Sequence, residues 1–346
     1  MGTDLSLTGL HHVSALTGQA QANQDFYTQV LGLRLVCKTV NQDDTSSYHL
    51  FYGDETGAPG TEVTFFDLPR ARALREGTGL ITGTSLRVRG IDTLRWWTDR
   101  FAAHDVLHTT VYERAGRPVV TFYDPEGQRL HLVDDSEDVD RVPDTTPWPE
   151  SPVPEEHAIR GLGPTEITIG ELDPTRIVLV DLMGFREARA YTATAHDDPM
   201  ADDVHRLSTQ PPDEAFVFET GPGGVASELH VVVRPDAPRG WLGRGGVHHV
   251  ALRTPDEGTI RAWRKRIDAA GLDISPVIDR HYFHSIYVRE PGGILIEIAT
   301  DTGAPFPVDE ADAGTVTLPP KLEPQRDEIE ATLTPLGPPR PSPATP

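Results

Sequence analysis

The chain has 346 residues, which is enough for two average domains or for one large domain with its own core. Its 53 acidic side chains outnumber the 31 basic ones, and the net charge of −22 argues against nonspecific binding to nucleic acid or to an anionic membrane. The single cysteine, Cys37, excludes an internal disulfide, and since there is neither a signal sequence nor an apolar run of roughly 20 residues, we expect a cytoplasmic protein with no membrane or nucleic-acid partner.

Four copies of one structural unit account for most of the chain. Short motifs recur in them: GLHHVSALT of the first unit returns as GVHHVALRT in the fourth, LGLR of the first as MGFR in the third, and YDPEGQRLHLVDD of the second as REPGGILIEIATD in the fourth. Each copy reads as a strand, a helix and a run of strands that ends in a hairpin. We place the four units at residues 8–68, 81–135, 160–234 and 245–300.

The helix is most clearly marked in the fourth unit. There Ile260, Trp263 and Ile267 share one helical face, and the TPDE sequence that begins at Thr254 predicts a capping box with proline at the first helical position. Such a helix covers one face of its βαβββ sheet, so the other face is left to curve around a cavity. The pattern predicts an α+β fold in which four βαβββ modules form two cup-shaped domains of mixed β-sheet.

Composition divides the chain into two domains, a linker and a tail. An N-terminal domain at residues 8–135 holds the first two modules, and a C-terminal domain at 158–300 holds the last two. Residues 136–157 between them are rich in proline and acid, which is typical of an extended linker. Residues 301–346 form a proline-rich tail, in which 322–333 are expected to make one short amphipathic helix.

The doubled histidines are the strongest functional signal. Successive side chains of a strand point to opposite faces, so only one histidine of each pair can face into a cup. The repeat assigns His12 and His249 to equivalent inward positions, with His11 and His248 behind them. A single buried histidine is more often a core residue than a metal ligand, so the strength of the signal lies in the matching register of the two pairs.

A carboxylate completes this set. In the strand ILIEIAT the isoleucines suit the helix-covered face, which turns Glu297 into the cup. An ionised carboxylate in an apolar strand is costly unless it meets a cation or a dense set of hydrogen bonds. Two neutral imidazoles and one carboxylate form the facial triad that suits non-haem Fe(II) and leaves coordination positions open for substrate and dioxygen.

Matching the same positions in the other units describes both cups. Units one and four form the first cup, in which Thr64 stands beside the triad at a fourth position. Units two and three form the second cup, which would hold Leu86, His131, Glu166 and Glu228. That set suits either a second metal site or a hydrogen-bonded cluster, and the weaker echoes in these units favour the cluster.

These motifs resemble the vicinal oxygen chelate superfamily and, within it, the glyoxalase-related dioxygenases that open para-hydroquinone rings. The resemblance rests on GLHHVSALTG, GVHHVAL, DRHYFHSIYVREPGGILIEIATD and LPPKLEPQRDEIEATL and covers nearly the whole chain. It implies a ring-cleaving dioxygenase that depends on Fe(II), with Mn(II) as the alternative metal, and that acts on a small aromatic diol with O2. A homo-oligomeric assembly is compatible with it.

The resemblance also implies roles for individual residues. It assigns the metal to His12, His249 and Glu297. The catalytic residues that it implies beside the substrate are His11, His248, Arg280 and Tyr287. The further candidates for substrate binding are His281, Phe283 and His284. For Arg280 a surface salt bridge with a nearby acid is the structural alternative, and for Tyr287 it is ordinary packing within the sheet.

Two other functions use the same scaffold. A glyoxalase-I-like, metal-dependent isomerase or lyase needs a fuller set of protein ligands, which Thr64 at the fourth position argues against. A non-catalytic protein of this fold that binds a small molecule needs no metal triad at all. The fold alone does not decide among these functions.

Overall fold

The computed structural model describes residues 5–193, 213–312 and 314–340. The first two of the expected βαβββ units lie in its N-terminal part. The first unit comprises β1 (Leu10–Thr17), α1 (Ala20–Asp25, continued by a π-helical turn at Phe26–Val30), β2 (Arg34–Asn41), β3 (Asp44–Gly53) and β4 (Glu62–Asp67). The second comprises β5 (Leu80–Val88), α2 (Ile91–Ala103), β6 (Tyr112–Arg114), β7 (Arg117–Tyr123) and β8 (Arg129–Asp134).

The remaining two units repeat the same order of elements. The third unit comprises β9 (Leu162–Ile169), α3 (Leu172–Ile177, continued by a π-helical turn at Val178–Leu182), β10 (Arg186–Ala193), β11 (Asp213–Glu219) and β12 (Glu228–Val233). The fourth comprises β13 (Val247–Thr254), α4 (Glu257–Ala269), β14 (Ile278–Asp279), β15 (His284–Arg289) and β16 (Leu295–Thr300). The predicted α+β fold of four βαβββ modules is confirmed.

Strand pairing joins the units as one with four and two with three. Strand β1 runs antiparallel to β13, with Ser14 opposite His249, and β5 runs antiparallel to β9. A pairing of Val247 with Ile81 links the two cups. Each cup therefore takes one unit from either side of residues 136–157, and the division of the chain into an N-terminal and a C-terminal domain stays a prediction.

The helices cover the convex faces of the cups with aromatic side chains. Trp97 of α2 and Trp263 of α4 are fully buried in the shared hydrophobic core. The predicted start of α4 is wrong by two residues, because Asp256 and not Thr254 caps the helix: its carboxylate accepts a hydrogen bond of 2.8 Å from the backbone N–H of Thr259.

The linker and the tail pack against the first unit. Val153, in the segment predicted to be an extended linker, is 3% exposed and belongs to the core. The tail contains α5 (Val308–Asp312) and α6 (Arg326–Thr332), so the expected helix at 322–333 is confirmed, with its first turn in 3₁₀ form. Lys38 holds the tail by donating 3.0 Å hydrogen bonds to two of its carbonyls. No helix in the described residues has the length and apolar character needed to cross a membrane.

Replacing the buried indole of α4 tests how far the cup depends on its helix. We expect Trp263→Ala to lower the free energy of unfolding by about 3–5 kcal/mol, because it leaves a cavity between helix and sheet. Trp241→Ala is the matched control, since that side chain is 67% exposed. Urea denaturation measures both, and equal shifts of the two midpoints would contradict the packing described here.

Candidate metal centre

Three side chains from three strands meet at the floor of the first cup. The Nε2 atoms of His12 on β1 and His249 on β13 lie 3.3 Å apart, and the Oε2 atom of Glu297 on β16 lies 3.3 Å from the first and 2.9 Å from the second. All three side chains are at least 96% buried. The structure thus brings together the three residues that the sequence singled out.

Strand pairing explains the convergence. Strand β16 runs parallel to β13 with Glu297 opposite Ala251, two residues beyond His249. Alternation along β16 turns Ile296 and Ile298 toward the hydrophobic core and leaves the carboxylate on the concave side. The antiparallel pairing of β1 with β13 then carries His12 to the same point from the other unit.

The carboxylate of Glu297 has one satisfied oxygen and one orphaned oxygen. Its Oε1 accepts a hydrogen bond from the hydroxyl of Ser285. Its Oε2 has no hydrogen-bond partner of acceptable geometry among the described residues, although both imidazole nitrogens are close. A buried polar atom of this kind calls for a partner, and three ligand atoms within 4.8 Å of one another match a bound cation. Two imidazoles and a carboxylate are the donor set of non-haem Fe(II) sites, so the residues present fit such a metal.

When no metal is bound, His12, His249 and Glu297 shift one another's pKa values. Burial opposes the charged form of His12, but the attraction of Glu297 outweighs it and raises the pKa of His12 above its ordinary 6.5. Burial likewise opposes ionisation of Glu297, and the two histidines outweigh it, so the pKa of Glu297 lies well below 4.5. The carboxylate is therefore ionised at neutral pH, as a metal ligand must be.

The neighbouring histidines touch the ligand imidazoles from behind. The Nδ1 atom of His11 lies 3.0 Å from that of His12, and the Nδ1 atom of His248 lies 2.8 Å from that of His249. Strict alternation would send His11 to the opposite face, but a β-bulge between residues 10 and 13 keeps it beside its neighbour. Burial lowers the pKa of His248 to about 3, so that imidazole is neutral.

A cavity opens above the candidate metal centre. Three of the predicted site residues line it beside the two ligand histidines, namely Arg280, Phe283 and Tyr287. The rest of its lining comes from Ser14, Thr39, Asn41, Gln42, Asp43, His49, Phe51, Phe66 and Tyr282. Of the described residues predicted for substrate or catalysis, four stand outside this lining: His11, His248, His281 and His284.

Arg280 closes one side of the cavity by pairing across it. Its guanidinium donates hydrogen bonds of 3.1 and 2.9 Å to the two carboxylate oxygens of Asp43, at the turn between β2 and β3. Its carbon Cζ also lies 5.6 Å from the ring centre of Tyr287. The salt bridge that was the structural alternative for Arg280 is therefore present, yet the side chain remains a wall of the cavity.

Sequence reasoning missed the contribution of β2 and β3. His49 lies between Phe51 and Phe66, with ring centres 4.0 and 4.1 Å away, and its Nε2 is 2.9 Å from the hydroxyl of Thr64. Burial holds the pKa of His49 well below 6.5, so it is neutral. The available signal was the group of aromatic residues around His49 in β3, namely Tyr48, Phe51 and Tyr52, whereas the recurring motifs mark only first and last strands of the units.

Glu62 is a second missed residue. It is fully buried on β4, opposite His12, and one of its oxygens lies 3.4 Å from Nδ1 of His11. These three side chains form a second group with ligand atoms close enough to share a cation. Its position two residues before Thr64 on the same strand face was the signal that could have found it.

The second cup differs from its sequence-based description. In the first cup, Thr64 of β4 lies opposite Ser14 of β1, and Glu297 of β16 lies opposite Ala251 of β13. In the second cup, the corresponding pairs are His131 with Ser85 and His230 with Glu166. Each ligand histidine of the first cup stands two residues before Ser14 or Ala251. The equivalent positions of the second cup, two residues before Ser85 and Glu166, are therefore Gly83 and Pro164. His131 and Glu166 line this cup as predicted, but Glu166 and Glu228 each stand two residues from the positions matched to them, partly because the turn before β12 is two residues longer than that before β16. Leu86 lies in the hydrophobic core instead.

Comparison with known proteins identifies the family. The model of the Glyoxalase/Bleomycin resistance protein/Dioxygenase superfamily matches residues 9–141 and 161–298. The chain belongs to this superfamily. Glyoxalase I from Zea mays shares the fold with a TM-score of 0.58 at 13% identity, covering 85% of this chain and 92% of that one.

Relatives within the superfamily carry dioxygenase names. The chain is 44% identical over 335 residues to "Putative ring-cleaving dioxygenase MhqA" of Bacillus subtilis, covering 96% of this chain and 100% of that protein. It is 32% identical over 339 residues to "Chlorohydroquinone/hydroquinone 1,2-dioxygenase" of Sphingobium indicum, covering 94% and 95%. A crystal structure named "putative dioxygenase from Bacillus subtilis" superposes with a TM-score of 0.80 at 33% identity, covering 96% of this chain and 98% of that one.

The protonation of the triad can be tested in metal-free protein. We expect Glu297→Gln to lower the pKa of His12, because burial then acts without the opposing carboxylate. Histidine titration by NMR measures this change. Glu290→Gln is the matched control, since Glu290 is also buried but bonds to Thr175 and not to the triad. An unchanged His12 titration in Glu297→Gln would contradict the coupling.

Proposed function

We propose that this protein is a Fe(II)-dependent dioxygenase that opens a hydroquinone-type or related dihydroxylated aromatic ring with O2. The observation that carries the proposal is the buried His12, His249 and Glu297 set beneath a cavity lined by aromatic side chains. The names of the relatives support it, since they include a hydroquinone 1,2-dioxygenase. Three protein ligands leave coordination positions open, as a reaction with two substrates at one metal requires.

The metal would be held by Nε2 of each histidine and by Oε2 of Glu297. Fe(II) held there would supply a Lewis acid and a redox path between a diol and dioxygen. Ser285 keeps the carboxylate oriented by donating to its other oxygen. His11 and His248 contact the Nδ1 atoms of the ligand imidazoles and so restrain the rotation of both rings.

The cavity walls suit an aromatic diol. Phe51, Phe66 and Phe283 present ring surfaces that pack against an aromatic substrate. Burial raises the pKa of the Tyr287 hydroxyl, so it is protonated at neutral pH and can donate a hydrogen bond to a substrate oxygen. Arg280 lies on the same wall, and the N–H groups that it does not give to Asp43 can donate to a substrate phenolate.

The residue at the fourth position of the cup distinguishes the proposed dioxygenase from an isomerase or lyase. Thr64 stands there, and its hydroxyl is engaged by Ser14 at 2.7 Å and by His49 at 2.9 Å. It therefore supports the cavity wall and adds no charged ligand. Turnover that persists with Zn(II) or Ni(II) in the absence of oxygen would favour the isomerase, and retention of function by Glu297→Gln would favour a binding protein without catalysis.

Oxygen uptake tests the proposal directly. We expect protein reconstituted anaerobically with Fe(II) to consume O2 on addition of at least one member of a hydroquinone panel. His249→Ala should bind Fe(II) at least about 10-fold more weakly and lose uptake, because one of three ligands is gone. His104→Ala, at the end of α2, is the matched control. Uptake from no panel member, or equal metal binding by both variants, would overturn the proposal.

The contribution of Tyr287 is separable from metal binding. We expect Tyr287→Phe to keep the Fe(II) affinity of the parent protein and to lower kcat about 100-fold, because only the hydroxyl donor is removed. Metal titration and steady-state oxygen uptake give the two quantities. A variant with an unchanged kcat would limit Tyr287 to packing within the sheet.

A further inference from the structure

Glu62 is a buried acid that has no counter-charge. Its side chain has no exposed surface, and neither of its carboxylate oxygens has a hydrogen-bond partner among the described residues. The buried glutamates of the second cup, Glu166 and Glu228, are each paired with two arginines. In the part of the chain that the structure describes, no arginine or lysine pairs with Glu62. A carboxylate in such a place calls for a cation.

His11 and His12 bring nitrogen atoms to this carboxylate. The Nδ1 atom of His11 lies 3.4 Å from Oε2 of Glu62 and 3.0 Å from Nδ1 of His12. Glu62 on β4 stands opposite His12 on β1, so the parallel pairing of these two strands fixes the group. The three ligand atoms lie within 4.8 Å of one another, and all three side chains are at least 97% buried.

The spacing of these atoms suits one small cation. Two ligand atoms that bind a single Zn(II) at about 2.0–2.1 Å in tetrahedral geometry lie about 3.3 Å apart. The distances of 3.0 and 3.4 Å around Nδ1 of His11 lie on either side of that value. Zn(II) takes four ligands of the nitrogen and oxygen type, and the second oxygen of Glu62 or a water molecule completes that number.

The other nitrogen of His11 is held as it is in metal-bound histidines. Its Nε2 lies 3.2 Å from the backbone carbonyl oxygen of Thr300, which can only accept a hydrogen bond. The proton of the neutral imidazole is therefore on Nε2, and Nδ1 presents a lone pair to Glu62 and His12. Histidines that bind a metal usually donate their second N–H to an oxygen of this kind.

His12 belongs to both sets of ligands. Its Nε2 lies beside His249 and Glu297 in the first cup, and its Nδ1 lies beside His11. A nitrogen that carries the proton of a neutral imidazole cannot bind a metal. When Nε2 binds a cation, Nδ1 is protonated and donates to His11. When Nδ1 binds one, Nε2 is protonated and donates to Glu297, which is 3.3 Å away. The ring therefore serves one cation at a time.

We propose that His11, His12 and Glu62 form a second cation site, which binds Zn(II) and is an alternative to the metal centre of the first cup. Neither His11 nor Glu62 lines the cavity, so this site has no open face for a substrate. A closed set of ligands suits Zn(II), whereas the dioxygenase centres of Fe(II) keep coordination positions open. Zinc bound here withdraws His12 from the first centre, and its binding does not depend on the reaction proposed for that centre.

Zinc titration of a variant with an incomplete first centre tests this site. His249→Ala removes one ligand of that centre and leaves the second cation site and the acceptor Glu297 in place. Isothermal titration calorimetry measures Zn(II) binding to the metal-free variant, and anomalous diffraction at the zinc absorption edge locates the ion.

Two double variants show whether the carboxylate of Glu62 is a ligand. Glu62→Gln and the matched control Glu290→Gln are each combined with His249→Ala. Glu290 is also buried, but its oxygens accept hydrogen bonds from Thr175 and from two backbone N–H groups. Circular dichroism establishes that each protein is folded, and the position of the zinc ion in His249→Ala does not depend on the folding of the double variants.

We expect His249→Ala to bind one Zn(II) saturably, with an anomalous peak between the Nδ1 atoms of His11 and His12 and the carboxylate of Glu62. The affinity should fall at least about 10-fold on adding Glu62→Gln and stay unchanged on adding Glu290→Gln. The proposal would be overturned by a peak at Nε2 of His12, by an absence of zinc binding, or by equal affinities of the two double variants.

The sharing of His12 has its own test in the parent protein. We expect one tightly bound metal ion per chain after gel filtration, whether Fe(II), Zn(II) or both are added, because each centre needs this imidazole. Elemental analysis gives the count. Two ions per chain, one at each centre, would overturn the alternative occupancy. Neither zinc experiment measures oxygen uptake, so failure of the second cation site is distinguishable from failure of the proposed dioxygenase.

Discussion

The antiparallel pairing of β1 with β13 is the contact on which the site depends. It joins strands that lie more than two hundred residues apart in the chain, and it places Ser14 opposite His249. Neither unit alone holds more than part of the triad, because His12 comes from the first and the other two groups from the fourth. The chain must therefore close on itself before a metal centre exists, and the second and third units are the segment that it closes over.

Burial of a carboxylate is the energetic cost of this arrangement. Glu297 has no exposed surface, and one of its oxygens finds no hydrogen-bond donor of good geometry among the described residues. An ion in this position is tolerated only when a cation or several donors compensate it. In the second cup the same problem has a different solution, since arginines pair with the buried glutamates. The two cups thus share a backbone but neutralise their acids by different means.

Much of the fold and the centre of the site could be predicted from the sequence. The recurrence of HHV and PEG or PGG motifs marks the first and last strands of the units, and alternation along those strands selects His12, His249 and Glu297. Other features depend on information that local sequence does not carry. The β-bulge beside His11 is a property of the pairing with β13, and the contact of Arg280 with Asp43 joins two turns that are distant in the chain. The register of β12 could not be read from Gly224, because the length of the preceding turn changed between repeats.

The proposed reaction requires a metal at one position, which anomalous diffraction locates most directly. Crystals of the Fe(II)-loaded protein, measured at the iron absorption edge, should show an anomalous peak between Nε2 of His12, Nε2 of His249 and Oε2 of Glu297. A peak elsewhere in the molecule, or no peak from protein that retains stoichiometric iron, would contradict the account.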